Sequence, residues 1–439
     1  MKNLPPRCFQ GGTVIEIRDL NNGKVLFMAH ITPFQALRPY RQYAQAVAAP
    51  PYDVVNAEEA RALVVNNPLS FLHVEKSEID LPGYPHVDEH TVFQKAKGNL
   101  EKLREDKILF QDPVPCFYIY SQQMEGRRQY GIVAVAGVRE YEAGLIKKHE
   151  NTRADKELER IRHVDAVNAH TGPVFITYRK REVVDGIVAG IVKSPPEYAF
   201  VAADGVAHDV WVVSDGNAIG QLRAAFAEVQ TMYIADGHHR AAAAASVARM
   251  RREKDPNPSE ARDYETFLAV LFPHDQLRIM DYNRVVKDLH GLSGEEFLAR
   301  ISRDFEIADG FPERSPVNLH EFGMYLDGKW RRLIFKKERL AAGDPVLSLD
   351  VSILQEYLLG PVLGIADPRT DKRIDFIGGI RGMEELERLV DSGRFAVAFS
   401  LCPTTLSELM DVADAGLVMP PKSTWFEPKL RSGLFVHLI

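Results

Sequence analysis

The chain has 439 residues, a net charge of -7 and 26% charged residues, which is ordinary for a soluble globular protein. The acidic balance argues against a protein whose main role is to coat nucleic acid. Its three cysteines lie far apart without a CxxC pair, and no apolar run approaches the roughly 20 residues that span a bilayer. We therefore expect a cytoplasmic protein with neither a disulfide framework nor a signal peptide.

The first 28 residues are interpreted as an N-terminal extension. They form either a small strand-turn-strand, with its turn at Asn21-Asn22-Gly23, or a segment upstream of a start at Met28. The rest is divided into an N-terminal α/β region over 29–111, a core over 112–290 and a C-terminal α+β region over 291–439. The boundaries near Asp112 and Gly291 are soft, because no low-complexity linker marks them.

Helices and strands alternate along the remaining chain. A helix is predicted over 57–66, a strand over SFLHVEKSEIDLP, a helix over HTVFQKAKGNLEKLREDKIL, and a hairpin whose turn is Gly126-Arg127-Arg128. Later predictions are a loop and helix over 145–165, strands at GPVFITYRK and HDVWVVSDG, and a strand and capped helix over LCPTTLSELMDVADAG. The alternation lacks strict βαβ order, so we expect mixed α+β layers rather than one parallel sheet.

Chemistry-bearing residues are concentrated in TMYIADGHHRAAAAA, which begins at residue 231. An apolar run, a polar turn and an alanine run predict a strand, a turn and a helix. The first turn of a helix attracts phosphate through unpaired N–H groups and a partial positive charge. We expect Asp236 to cap this helix and Gly237 to let a ligand approach the backbone. His238, His239 and Arg240 would add donors for phosphate oxygens.

Two other interpretations of this turn stay open. The first is an ordinary capped helix whose polar side chains face solvent. The second is a metal site that uses Asp236 and His238 with distant partners, although adjacent histidines on a helix point to different faces. The chain has no HExxH motif, Walker A loop or GxGxxG motif, so a nucleotide would be held by neither of the two common glycine-rich loops.

Three further segments have residues that suit phosphoryl chemistry. In KKHENT, Lys148 can neutralise phosphate and Glu150 can take a proton from an attacking hydroxyl, although a solvated charged loop explains the composition nearly as well. In APPYDVV, Tyr52 and Asp53 fit a site wall and a structural corner equally. The segment MPPKSTWFEPKLRSGL is either an anion loop that closes over the helix at Asp236 or a proline-pinned tail. Its phosphate-compatible residues are Lys422, Ser423, Thr424 and Lys429.

Several long stretches resemble the bacterial and archaeal family called domain of unknown function 1015. They are PFQALRPY, VAAPPYDVV, NNPLSFLHVEKSEIDLP, HENTRADKELERIRHVDAVNAHTGPVF, YIADGHHRAAAA and VMPPKSTWFEPKLRSGL. The resemblance runs from about Thr32 to the C-terminus, and the family name does not settle function. The Asp-Gly-His-His-Arg turn also resembles the phosphate-binding motif of the ParB/sulfiredoxin-like superfamily, some of whose members are kinases of free L-serine.

This second resemblance implies a ParB/sulfiredoxin-like core, ATP or ADP, Mg²⁺, and phosphoryl transfer to a small hydroxylated amino acid. Its site would use Glu150, Asp236 and His239 as catalytic residues and Asp236 as a metal ligand. The nucleotide would contact Gly237, His238, Arg240, Lys148, Lys422, Ser423 and Thr424. Two alternatives are a nucleotide-binding regulatory protein without fast turnover and a phosphatase or metal-dependent hydrolase. No membrane or nucleic-acid partner is expected, and a homodimer stays open.

Overall fold

The computed structural model describes residues 17–18, 25–26, 30–336, 338, 340 and 343–439. The chain divides into two compact units. The first comprises Met1–Lys148, Thr152–Leu277 and Pro428–Ile439, and the second comprises His149–Asn151 and Arg278–Glu427. The four-region division made from the sequence stays a prediction. Within the described residues, no helix is both long and apolar enough to cross a membrane.

The first unit combines strands and helices along most of its length. Its strands are β1 (Ile17–Arg18), β2 (Val25–Leu26), β3 (Ile31–Thr32), β4 (Leu37–Pro39), β5 (Leu109–Gln111), β6 (Phe117–Met124), β7 (Arg127–Gly137), β8 (Ile146–Lys147), β9 (Ala169–His170), β10 (Val174–Tyr178), β11 (Tyr198–Val201), β12 (Ala207–Val213), β13 (Met232–Asp236), β14 (Thr266–Pro273) and the C-terminal β23 (His437–Leu438). Its helices are α1 (Ala44–Val47), α2 (Ala57–Val64), α3 (Leu72–Glu75), α4 (Glu89–Glu105), α5 (Val138–Glu142), α6 (Ala154–Val167), α7 (Glu182–Ile191), α8 (Gly216–Phe226) and α9 (His238–Lys254).

The main sheet of this unit is mixed. Its strands run in the order β11-β12-β6-β7-β14-β10-β13-β8, and β3 also pairs with β7. Two neighbouring pairs are parallel, β10 with β14 and β13 with β8, whereas β6 with β7 and β10 with β13 are antiparallel. The α+β class predicted from the sequence is therefore confirmed.

The alanine run after the motif packs α9 onto this sheet. Ala241, Ala244, Ala245 and Ala248 are buried in one hydrophobic cluster together with Ile234 of β13. Their spacing places them on one face of the helix. Because alanine has only a methyl group, the helix axis can approach the strand that precedes it closely. The predicted strand-turn-helix unit is thus present, and its helix ends at Lys254.

The stretch after Ser70 corrects the prediction of a strand. It forms α3 and then a 3-10 turn over Ser77–Asp80. Phe71, Leu72 and Val74 are all buried in a cluster with residues of α2, α4 and α6. Consecutive buried positions are not the alternation of a half-exposed strand, so packing among helices decides the local structure.

The hairpin of β6 and β7 is confirmed, but its turn is not Gly126-Arg127-Arg128. The chain reverses at Glu125 and Gly126, whose φ angles are 51° and 79°. Two consecutive positive φ angles are what a two-residue hairpin loop requires. Arg127 and Arg128 therefore belong to the second strand. At the N-terminus β1 pairs antiparallel with β2, which agrees with the strand-turn-strand alternative, while the Asn21-Asn22-Gly23 turn lies outside the described residues.

The second unit is built on an antiparallel sheet. Its strands are β15 (Ile279–Met280), β16 (Tyr282–Val286), β17 (Phe305–Asp309), β18 (Glu321–Leu326), β19 (Lys329–Phe335), β20 (Ile374–Gly378), β21 (Val397–Leu401) and β22 (Trp425–Phe426), and its helices are α10 (Gly294–Ile301), α11 (Asp350–Leu354), α12 (Met383–Asp391) and α13 (Leu406–Asp414). The main sheet has the order β17-β19-β18-β21-β16-β20. Thr405 caps α13 in a capping box with Glu408, which confirms the capped helix predicted there.

Candidate functional site

The candidate site lies where β13 ends and α9 begins, in the first unit. Gly237 is the N-cap residue, with φ 91° and ψ 29°, and no side chain caps the helix. The predicted Asp236 cap is therefore wrong. Asp236 still pairs with Phe175 in the sheet, and its Oδ1 accepts from the Gly237 N–H at 2.8 Å. The left-handed glycine turns the chain so sharply that the helix N-terminus is left without a side-chain acceptor.

Lys429 holds the other oxygen of Asp236. Its Nζ lies 2.9 Å from Asp236 Oδ2. Burial alone would raise the pKa of Asp236, but Lys429, Arg240 and the Gly237 N–H outweigh it and hold this pKa well below its usual range. Asp236 is therefore a carboxylate with both oxygens engaged. The contact also shows that the C-terminal segment reaches the motif through Lys429.

Arg240 projects from the first turn of α9 into a crowded polar region. Its Nη1 donates to the carbonyl oxygen of Pro173 at 2.9 Å, and its guanidinium carbon lies 5.2 Å from the centre of the Tyr52 ring. A Cβ on Gly172 would come within 3.2 Å of that carbon, so a glycine allows the close approach. The Nη2 has no hydrogen-bond partner among the described residues. The nearest ion-pair partner of Nη2 is Asp53, at 3.8 Å.

A buried ion pair supports Arg240 through Tyr52. Arg160 of α6 lies over the Tyr52 ring with its guanidinium carbon 4.0 Å from the ring centre. Its Nη1 donates to Glu75 Oε2 at 3.2 Å, and the two side chains are only 6% and 1% exposed. Burial acts to raise the pKa of Glu75, but Arg160, together with Arg240 and the other groups around the carboxylate, outweighs it, so this pKa is lowered and the carboxylate is charged.

Sequence reasoning missed Glu75 and Arg160. Glu75 falls in the stretch predicted to be a strand, and Arg160 falls in the loop and helix predicted over 145–165, where no role was given to it. One signal could have found Arg160: it shares a helical face with Val164 and Val167, and all three are buried. An arginine on the apolar face of a helix needs a buried partner.

A cavity of about 20 Å³ lies between these groups. It is lined by Glu75, Arg160, His163, Val164, His170, Thr171, Gly172 and Arg240. Four buried polar atoms along it have no hydrogen-bond partner among the described residues: Arg240 Nη2, Arg160 Nε, Glu75 Oε1 and His163 Nδ1. The volume suffices for about one water-sized group. Arg240 therefore borders both this cavity and the helix N-terminus.

His238 and His239 differ in burial, as adjacent helical positions should. His238 is 5% exposed, whereas His239 is half-buried. The His239 Nε2 accepts from the backbone N–H of Arg153, 3.0 Å away, at the start of α6. Burial is the main reason that the pKa of His239 is lowered. The contact brings the N-termini of α6 and α9 together, and each contributes partial positive charge to the same place.

Lys148 leaves the sheet at the edge that carries the motif. β8 lies parallel to β13 with Lys147 opposite Tyr233, and the carboxyl ends of parallel strands share one edge. Lys148 is exposed just beyond that strand. Its predicted contact with a nucleotide stays a prediction.

The remaining predicted site residues belong to the second unit. Two hydroxyls there already have partners: Ser423 Oγ donates to the Pro420 carbonyl at 2.6 Å, and Thr424 Oγ1 lies 3.4 Å from His149 Nε2. Lys422 is exposed, and Glu150 is half-buried. The roles predicted for Glu150, Lys422, Ser423 and Thr424 in nucleotide chemistry stay predictions.

Taken together, the first-unit residues form a site suited to anions. An uncapped helix N-terminus, the neighbouring N-terminus of α6 and an arginine with an unpaired N–H group surround one turn of backbone. The chain belongs to the family described as "Protein of unknown function (DUF1015)", which matches residues 31–352. The predicted family membership is confirmed. None of the curated proteins matches this chain.

Some solved structures share a distant likeness with the chain. "Free serine kinase in complex with AMP" is 13% identical, with a TM-score of 0.34 over 70% of this chain and 91% of that one. "SbnI with C-terminal truncation from Staphylococcus aureus" is 11% identical, with a TM-score of 0.37 over 70% and 87%. A conserved hypothetical protein from Pyrococcus furiosus is 13% identical, with a TM-score of 0.34 over 70% and 95%. Likenesses this distant carry no argument about function.

Proposed function

We propose that this protein transfers a phosphoryl group from a nucleotide to a small hydroxylated metabolite, and that free L-serine is the acceptor, giving O-phosphoserine. The observation that carries the proposal is the Nη2 of Arg240. It has no hydrogen-bond partner among the described residues, and it lies in the first turn of a helix that no side chain caps. A phosphate group would accept hydrogen bonds both from the Arg240 guanidinium and from the backbone N–H groups at the helix N-terminus.

The residues of the turn fit the phosphates of ATP or ADP. Gly237 has no side chain to block the backbone, and the N–H groups at the start of α9 point away from the helix toward a bound anion. Arg240 offers a planar fork held in place by Pro173 and Tyr52. The nucleotide supplies the transferred phosphoryl group, and these residues bind and orient it.

Asp236 fits the predicted role of metal ligand poorly. Its two oxygens accept from the Gly237 N–H and from Lys429, so Mg²⁺ would have to compete with an ammonium group for this carboxylate. Within the first unit, Asp53 is better placed than Asp236 to act as the catalytic base. Its side chain is 44% exposed and 3.8 Å from Arg240, where it can take the proton of an acceptor hydroxyl. Glu150 remains the base predicted from the sequence.

The test is phosphorus NMR on the purified protein with Mg²⁺, ATP or ADP, and a panel of hydroxylated metabolites led by L-serine. We expect a phosphomonoester signal that disappears in Arg240→Ala and persists in Arg249→Ala, an exposed arginine on the same helix. Equal activity in both variants would contradict the site. Bound nucleotide without product would favour a regulatory binding protein, and hydrolysis of phosphoserine without nucleotide would favour a hydrolase.

A further inference from the structure

The second unit buries an arginine that has no acidic partner among the residues described there. Arg284 lies in β16 between β20 and β21, and it is 3% exposed. Its Nη1 donates to the carbonyl oxygen of Tyr282, and its Nη2 donates to that of Lys422 at 3.1 Å. The guanidinium carbon lies 5.4 Å from the centre of the Phe376 ring. Within the described part of the chain, no carboxylate forms an ion pair with it.

A buried charge without a counter-ion is expensive, and proteins normally pair it. Two carbonyl oxygens are neutral acceptors, and they use two of the five N–H donors that a guanidinium carries. Burial lowers the pKa of Arg284 to about 10, which still leaves the group charged at neutral pH. The interior of this unit therefore holds a positive charge that its own side chains do not neutralise.

A second cationic residue, Lys422, contacts Arg284 through its backbone carbonyl. Its backbone has φ 61°, a left-handed conformation that is uncommon outside glycine, and its carbonyl is the one that Arg284 fixes. Its Nζ lies 5.6 Å from the centre of the Tyr282 ring. The acidic residue of the same segment, Glu427, accepts from the Trp425 indole N–H at 2.9 Å. Lys422 thus has an uncommon backbone conformation, its carbonyl accepts from Arg284, and its ammonium lies over the ring of Tyr282, whose carbonyl also accepts from Arg284.

We propose that Arg284 and Lys422 form an oxyanion-binding site within the second unit, which takes the phosphate or carboxylate group of a small metabolite. Arg284 supplies charge and fixes the Lys422 backbone, and the Lys422 ammonium supplies the second cation. The site does not depend on the phosphoryl transfer proposed above, because neither Arg284 nor Lys422 is among the first-unit residues from which that proposal is argued.

Trp425 gives a local signal for the experiment. Its ring packs edge-on against Tyr282 with 5.1 Å between ring centres, so an anion at Lys422 changes its surroundings. The full-length chain carrying Arg240→Ala, which removes the first-unit site, is titrated with inorganic phosphate and with acetate while tryptophan fluorescence is recorded. We expect a saturable change that is absent in Trp425→Phe. A response to phosphate alone identifies a phosphate site, and a response to acetate identifies a carboxylate site.

Three variants on that background decide the assignment. Lys422→Gln should weaken the anion affinity about tenfold and Arg284→Met should abolish it, whereas Lys372→Gln, an exposed lysine of the same unit, should leave it unchanged. An affinity that is the same in Lys422→Gln as in its parent would overturn the proposal, as would the lack of any saturable change. If Arg284→Met fails to fold, Lys422→Gln and Arg284→Lys still give the answer.

Discussion

Buried arginines are treated in opposite ways in the two units. In the first unit Arg38 has two bonds to Asp112, at 2.7 and 2.9 Å, and Arg160 has Glu75. In the second unit the partners of Arg284 among the described residues are carbonyl oxygens. The difference separates two purposes. A cation paired with a carboxylate holds elements together, whereas a buried cation left without one is available to a ligand.

Arg240 resembles Arg284 more than it resembles Arg38 or Arg160, although it lies in the first unit. It makes one hydrogen bond to a carbonyl, and its nearest ion-pair partner is 3.8 Å away. Arg160, in contact with the same tyrosine, has a hydrogen-bonded carboxylate. Two arginines that share Tyr52 therefore have different surroundings, and in the proposed site Arg160 positions the ring whereas Arg240 binds the anion.

The largest effect is expected when a paired buried arginine loses its carboxylate. Glu75→Gln leaves Arg160 buried without a counter-ion, and we expect the free energy of unfolding to fall by about 3 kcal/mol. Chemical denaturation at neutral pH measures the change. Glu89→Gln is the matched control, because its ion pair with Arg162 is exposed and should leave the midpoint essentially unchanged. Equal midpoints for the two variants would show that Arg160 does not need its partner.

Acid adds a charge to the same cluster instead of removing one. Burial, assisted by Arg160, lowers the pKa of His163 to about 4, so the folded chain holds this histidine neutral while the unfolded chain binds a proton near 6.5. Stability is therefore complete above about pH 6.5 and is lost as the pH falls toward 4, by about 1.4 kcal/mol per pH unit for one proton. Denaturation midpoints between pH 7 and 4 measure the slope. In His163→Gln the slope of stability against pH should be smaller by the contribution of one proton. An unaltered slope would contradict this assignment.

Asp53→Asn removes the carboxylate nearest to Arg240, so that the surroundings of Arg240 become more like those of Arg284. A negative charge near the phosphate site is removed, so nucleotide affinity should rise about threefold to tenfold. Turnover should fall in the same variant if Asp53 accepts the proton of the hydroxyl. Calorimetric titration and the phosphorus NMR assay separate the two effects. Weaker nucleotide binding in Asp53→Asn would mean that the residue holds the loop rather than acting on substrate.

The smallest effect is expected at an exposed pair near the motif. Arg153 and Asp155 lie 2.8 Å apart, and their side chains are 70% and 61% exposed. Asp155→Asn should leave both nucleotide affinity and the denaturation midpoint within error of the unsubstituted protein. The same two measurements check it. A large loss of affinity here would show that α6 takes a greater part in the anion site than Arg240 alone implies.

The strand-turn-helix unit of the motif could be predicted because its signals are local. An apolar run, a glycine and an alanine run differ in period and composition, and the structure follows them from Met232 to Lys254. The Asp236 cap could not be predicted, because a left-handed Gly237 takes the capping position and Lys429, 193 residues away along the chain, binds the carboxylate.

The ion pair of Glu75 and Arg160, which lines the cavity beside Arg240, could not be predicted for the same reason. Glu75 and Arg160 are 85 residues apart, and the sequence around Glu75 alternates enough to suggest a strand. Only tertiary packing buries Phe71, Leu72 and Val74 together and makes that stretch helical. Lys422 was recognised as suited to anions, but its neighbour Arg284 in a strand gave no sign in sequence that it lacks a carboxylate.

The bond between Lys429 and Asp236 also sets an order of events during synthesis. Asp236 leaves the ribosome early, and the whole segment Arg278–Glu427 has to be made before Lys429 exists. A nascent chain therefore displays the complete Asp-Gly-His-His-Arg turn without the ammonium that balances its aspartate. The charge pattern of the motif is therefore complete only after the segment Arg278–Glu427 and Lys429 have been made.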